Sequence, residues 1–79
     1  MTREEVLAKM IEFAAMAFNK EASEIKEDTN ISEELGVASS QRVAMTASIE
    51  NEFDVMIPVA RCGKFETIGA LVDFVMDEM

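Results

Sequence analysis

The sequence predicts a small all-α domain: three longer helices, one short one, and a long loop between the first and second. Three observations predict it. Apolar residues recur at helical spacing in three separate stretches. No stretch alternates with the period of two that a half-buried strand shows. The length of 79 residues, with 49% apolar, fits one thin-cored domain spanning 1–79, because a chain this short buries only about 60% of its unfolded surface.

The first helix is expected over residues 2–18. Thr2 is its cap, and Glu5 three residues on completes a capping box. Val6, Leu7, Met10, Ile11, Ala14, Ala17 and Phe18 make its apolar stripe, with Arg3, Glu4, Lys9 and Glu12 opposite. Residues 19–38 are polar and acidic and read as a loop, anchored by Ile25, Ile31 and Leu35 and broken at Gly36. A loop of this length in so small a domain is usually functional.

The second helix is expected over 39–53, with Val43, Ala47, Ile49 and Phe53 inward and Met45 and Thr46 beside them. The small side chains of Val43, Ala44, Thr46 and Ala47 fit either ordinary close packing of thin helices or, with Met10, Met45 and Met76 nearby, interior room at mid-helix, and the seven methionines suit a soft interior. Asp54 to Pro58 close the helix, since proline disfavours helix at the preceding Ile57. Residues 59–64 fit one short turn ending near Gly63. The last helix is expected over 67–78, capped by Thr67 and buried through Ile68, Leu71, Val72, Val75 and Met76.

Composition excludes several functions. The net charge of −9 disfavours nucleic acid, which demands clustered Lys and Arg. Basic protein surfaces suit it better. Cys62 is the single cysteine, so no internal disulfide forms and nothing argues for secretion. No signal-peptide core and no run of about 20 apolar residues is present, so a cytoplasmic, non-inserted protein is expected, by default a monomer.

The absence of histidine removes His-based triads and His metal sites. Asp28-Thr29-Asn30-Ile31-Ser32 begins like a calcium loop, but Glu33 stands where glycine is needed and Ser39 where the last glutamate is needed. Gly63-Lys64-Phe65 follows Pro58 rather than a glycine, so there is no phosphate-binding loop. Cys62 lies near Arg61 and Lys64 but has no partner base. No metal ligand set and no enzyme active site emerge.

One constellation remains. Leu35-Gly36-Val37-Ala38-Ser39-Ser40 precedes the second helix, and Glu50-Asn51-Glu52-Phe53-Asp54-Val55-Met56-Ile57-Pro58 ends it. Here the chain resembles the acyl carrier protein family, with its Leu-Gly-x-Asp-Ser-Leu start and its Glu-x-Glu-Phe-Asp and Ile-Pro end. Leu35, Gly36, Ser39, Val43, Glu50, Glu52, Phe53, Asp54, Ile57 and Pro58 align without a gap, and Thr67-Ile68 opens the last helix as in the family. The resemblance implies an acyl-carrier-like bundle whose Ser39 is esterified by 4′-phosphopantetheine from coenzyme A. The thiol of that arm carries an acyl thioester in fatty-acid, polyketide or related biosynthesis. Ser40, one step out of register, is the alternative attachment point. The implied partners are a phosphopantetheinyl transferase and acyl-transfer or condensing enzymes. Such a carrier is not itself an enzyme. The competing reading is an unmodified interaction module that keeps the fold.

The chain departs from the family pattern at Ala38, Ser40, Gln41 and Ala44, where Asp, Leu, Asp and Glu are usual. Its acids are also redistributed: residues 1–38 carry net −5, 39–66 only −1, and 67–79 net −3. The face that acidic carriers offer to basic enzymes is therefore nearly neutral here. A specialised carrier is expected, read by its partner at Gln41, Arg42, Ala44, Glu50 and Glu52.

Overall fold

Thr2 opens the first helix, α1 (Arg3–Phe18), by the predicted reciprocal capping. The Glu5 N–H donates to Thr2 Oγ1 (3.2 Å), and the Thr2 N–H donates to Glu5 Oε1 (2.8 Å). Two of the donors that a helix start leaves unpaired are satisfied together. The helix ends at Asn19, whose left-handed backbone (φ 55°) is one that asparagine tolerates. The structure is a computed structural model that describes residues 2–35, 39–57 and 65–79, with Ser32 and Ser39 described by backbone alone.

The other long helices are α2 (Ser39–Phe53) and α3 (Ile68–Glu78), so the predicted bounds hold to within a residue. The described residues contain no strand, only one isolated antiparallel bridge between Asn30 and Thr67. The fold is all-α. The expected short turn at 59–64, together with Gly36, Ala38, Pro58 and Cys62, lies outside the described residues.

α1 packs against both α2 and α3. It buries Val6, Met10, Ala14 and Phe18, a row spaced by four, with Leu7, Ile11 and Ala17 half-buried beside it. α3 buries Ile68, Leu71, Val72 and Val75. Fully burying each such aliphatic side chain is worth about 1.5–3 kcal/mol. The molecule is 18 Å across its shortest axis, room for two layers of helices about 8–10 Å apart and no more.

The inward face of α2 differs from expectation. Met45, Thr46, Ile49 and Phe53 are buried, whereas Val43 (57% exposed), Ala44 and Ala47 face solvent. The reason is geometric. At about 100° per residue, the row Met45–Ile49–Phe53 and the row Val43–Ala47–Asn51 lie on opposite sides of the helix. Only one row can meet α1, and the first carries far more apolar area. Of the two readings of these small side chains, interior room finds no support at Val43, Ala44 and Ala47, which are exposed. Methionine is likewise only partly a core residue here: Met10 and Met45 are buried, but Met16, Met56 and Met79 are exposed.

The helix ends at Phe53, as expected, and Asp54 turns left-handed there (φ 54°). Past that turn the Glu50 carboxylate accepts from the N–H of buried Ile57 (2.8 Å). This fastens the outgoing chain to the helix it has just left.

The long loop is more ordered than its composition suggests. It holds a 3-10 turn (Ala22–Glu24) and a π-helical turn (Ile31–Leu35). Ile25 and Ile31 are buried and Leu35 packs against the core, as expected. Asn30 Oδ1 accepts from the Glu33 N–H (2.9 Å), and Glu34 Oε2 accepts from the Asn30 N–H (2.7 Å).

Candidate functional site

The chain reaches Ser39 along a loop that is tied to the start of α3. Thr29 first closes a turn, its hydroxyl accepting from the Lys26 N–H (2.7 Å). The carbonyls of Thr29 and Glu27 then accept from the N–H groups of Ile68 (3.2 Å) and Gly69 (2.8 Å). Thr67 Oγ1 accepts from the Ala70 N–H (3.1 Å). The N–H groups of the first three residues of α3 are thus satisfied, two of them by the loop. In return the Ile31 N–H donates to the Glu66 carbonyl (2.8 Å).

Charge reinforces this join. Arg3 Nη2 pairs with Glu27 Oε2 (2.8 Å), and Arg3 Nε pairs with Asp73 Oδ1 (2.9 Å). One guanidinium so links α1, the loop and α3. Glu27 first, then Asp73, hold Arg3 well above its ordinary pKa, so it stays charged. Both contacts are solvent-screened, and such pairs fix geometry more than they add stability.

The loop delivers Ser39 as the first residue of α2. A helix of 15 residues leaves its first backbone N–H groups without partners inside the helix and carries the positive end of its dipole at that point. No acidic side chain lies in its first turn. A phosphodiester at Ser39 would therefore meet donors and a favourable field, with no carboxylate in that turn to repel it. The residues present fit the 4′-phosphopantetheine linkage.

The predicted site residues do not form a single cluster. Ser40 and Ala44 are exposed and Gln41 and Arg42 half-buried in the first half of α2. Glu50 and Glu52 lie about 9–18 Å further along the axis at 1.5 Å per residue. Both are engaged within the fold, Glu50 with the Ile57 N–H and Glu52 with Lys9 Nζ (3.7 Å). Sequence reasoning did not foresee exposed Val43, nor the tie from Glu50 across seven residues, a separation that no helical side-chain rule covers. Among the described residues no group of His, Cys, Asp and Glu is placed to hold a metal ion. None of their helices is long and apolar enough to cross a membrane.

Comparison with known proteins agrees with this geometry. The family described as "Phosphopantetheine attachment site" matches residues 8–75. The chain is 31% identical over 75 residues to an acyl carrier protein of Prochlorococcus marinus, covering 95% of this chain and 94% of that one. It is 31% identical over 71 residues to an acyl carrier protein of Porphyromonas gingivalis, covering 90% and 91%. A solved acyl carrier protein from Enterococcus faecalis superposes with a TM-score of 0.80 at 33% identity over the whole of both chains. Domains of this family carry a covalently attached 4′-phosphopantetheine, serve acyl-handling enzymes and are carriers rather than enzymes. With a family match over most of its length, relatives above 30% identity and a shared fold, the chain belongs to the acyl carrier protein family.

Proposed function

We propose that this chain is a single-domain, specialised acyl carrier whose Ser39 bears the 4′-phosphopantetheine arm, working in fatty-acid, polyketide or related biosynthesis. The observation that carries the reading is the position of Ser39. It opens α2 in ungapped register with the motif from Leu35 to Pro58. When bound, the arm supplies the thiol that holds the acyl group as a thioester. The chain's own contribution is to present that serine at a fixed place. α2 is held through Met45, Ile49 and Phe53, and the incoming loop through Ile25 and Ile31. As the family membership implies, activation of the serine falls to a separate transferase. The single cysteine is compatible with a cytoplasmic monomer.

The specialised reading is supported by Ala38, Ser40, Gln41 and Ala44. Those same residues favour the second reading, an unmodified interaction module, because they weaken the pattern that modifying enzymes recognise. Intact mass of the protein from its native host separates the two. We expect a phosphopantetheine increment that disappears in Ser39→Ala and persists in Ser40→Ala. An unmodified native protein that also resists several transferases would establish the interaction module. Full modification of Ser39→Ala would move the attachment to Ser40.

A further inference from the structure

Residues 27–31 cross the start of α3 in close backbone contact. The Glu27 and Thr29 carbonyls accept from the N–H groups of Gly69 (2.8 Å) and Ile68 (3.2 Å), and the Ile31 N–H donates to the Glu66 carbonyl (2.8 Å). An antiparallel bridge joins Asn30 to Thr67 between these bonds. A Cβ at Gly69 would stand 3.1 Å from the Glu27 carbonyl oxygen, so the two backbones meet there with no side chain between them. The crossing segment is shaped in advance by buried Thr29, whose hydroxyl accepts from the Lys26 N–H (2.7 Å). Ile31 and Ile68, one from each side of the join, are both buried in the core.

So short a two-stranded pairing is marginal in water by itself, and here charge closes it. Arg3 Nη2 pairs with Glu27 Oε2 (2.8 Å) on the crossing segment, and Arg3 Nε pairs with Asp73 Oδ1 (2.9 Å) on α3. One cation thus sits between two carboxylates, one from each of the parts it joins. Without it those carboxylates would face each other within a few ångströms and repel. Loss of Arg3 therefore does more than remove two surface pairs, because it turns an attraction into a repulsion. All three side chains reach solvent, so dissolved ions screen them. The fold as a whole responds to salt in the opposite sense. Its net charge of −9 opposes compaction, and screening relieves that self-repulsion.

We infer that residues 27–31 form a strap over the start of α3 that opens as one unit, apart from the core, and that Arg3 is its charge latch. Salt loosens the strap while it firms the rest of the fold. Opening slackens the loop that runs on through the turn at Ile31–Leu35 toward Ser39, so ionic strength sets how firmly the approach to that serine is held. The inference is independent of what Ser39 carries.

The test is amide hydrogen exchange of the purified full chain, read residue by residue between about 50 and 500 mM NaCl. In the unaltered protein the amides of Ile31, Ile68 and Gly69 should exchange together and faster than those of Met10 and Ile49. As salt rises the three should lose protection while Met10 and Ile49 gain it. Arg3→Gln keeps a good helix former at the start of α1 and should leave Met10 and Ile49 protected to within about twofold. At low salt it should speed exchange at the three strap amides at least about threefold. Added salt should then restore their protection, because only the Glu27–Asp73 repulsion is left to screen. Adding Asp73→Asn to Arg3→Gln removes that repulsion and should recover at least about half of the lost protection, as coupled residues do. Strap amides that exchange at the core rate at every salt concentration, or independently of one another, would overturn the inference. So would a strap in the unaltered chain that does not loosen with salt, an outcome that needs no variant to fold. An Arg3→Gln protein that loses protection equally at Met10 and Ile49, or whose strap loosens with salt, would overturn it as well.

Discussion

Gly69→Ala should destabilise this protein, although alanine is the better helix former. Gly69 is the second residue of α3, and its N–H donates to the Glu27 carbonyl at 2.8 Å. A Cβ on Gly69 would stand 2.7 Å from Glu27 Cγ, 3.1 Å from its carbonyl oxygen and 3.3 Å from Oε2. What the position demands is room for the loop, and all three contacts fall on one residue. Glu27 is poorly placed to move aside, because its carboxylate pairs with Arg3 and its carbonyl holds the Gly69 N–H. Replacing glycine by alanine in a helix gains up to about 1 kcal/mol. Overpacking costs about 1–3 kcal/mol, and straining the hydrogen bond removes part of a further ~1 kcal/mol. The cost wins by about 1–2 kcal/mol.

For a domain of this size each kcal/mol moves Tm by about 4–8 °C. Thermal melting of Gly69→Ala should therefore fall by roughly 4–16 °C. The mechanism is isolated by repeating the substitution in a Glu27→Ala background, where Cγ and the carboxylate are gone. There the penalty should shrink by at least about half, the coupling expected of residues in contact. A Gly69→Ala protein melting at or above the unaltered chain would refute the argument, as would an equal penalty in both backgrounds.

Two further outcomes follow from single contacts. Glu50→Ala leaves the Ile57 N–H without its acceptor and should cost about 1–2 kcal/mol in urea unfolding, whereas Glu50→Gln, which keeps an acceptor oxygen, should cost less than half of that. The Thr2 N–H first, and the Thr2 hydroxyl second, hold the Glu5 carboxyl below its ordinary value of 4.5. A lowered folded-state pKa gives stability that is present above 4.5 and lost as pH falls through the folded value, so Glu5→Gln should flatten the stability profile in that acid range and leave its slope near pH 7 unchanged.

The fold was legible because α1 and α3 each announce themselves twice, by a cap and by a stripe. Thr2 with Glu5 fixes the start of α1, and Thr67 fixes that of α3; the buried rows then follow at helical spacing. α2 was legible in extent but not in rotation. Its sequence offers two apolar rows on opposite sides, and which of them meets α1 depends on packing that spacing alone does not encode. The order in the loop was hidden for another reason. Its ties are backbone carbonyls of Glu27 and Thr29 meeting α3 about 40 residues away, and carbonyls carry no sequence signature. Ser39 stood out only through the motif around it, since a serine before a helix is otherwise an ordinary cap.

The acidity of the chain also acquires a different meaning once its contacts are known. Glu5 caps α1, Glu27 and Asp73 hold Arg3, Glu34 holds the Asn30 N–H, Glu50 holds the Ile57 N–H and Glu52 pairs with Lys9. These acids are spread over the start of α1, the loop, the end of α2 and α3, and each ties one piece of chain to another. Along the chain, residues 39–66 carry only −1 of the net −9. A basic partner would be drawn toward the molecule as a whole, whereas the exposed side chains in the first half of α2 are uncharged. Added salt should therefore slow the encounter of a basic enzyme, because the encounter senses the field of the whole molecule.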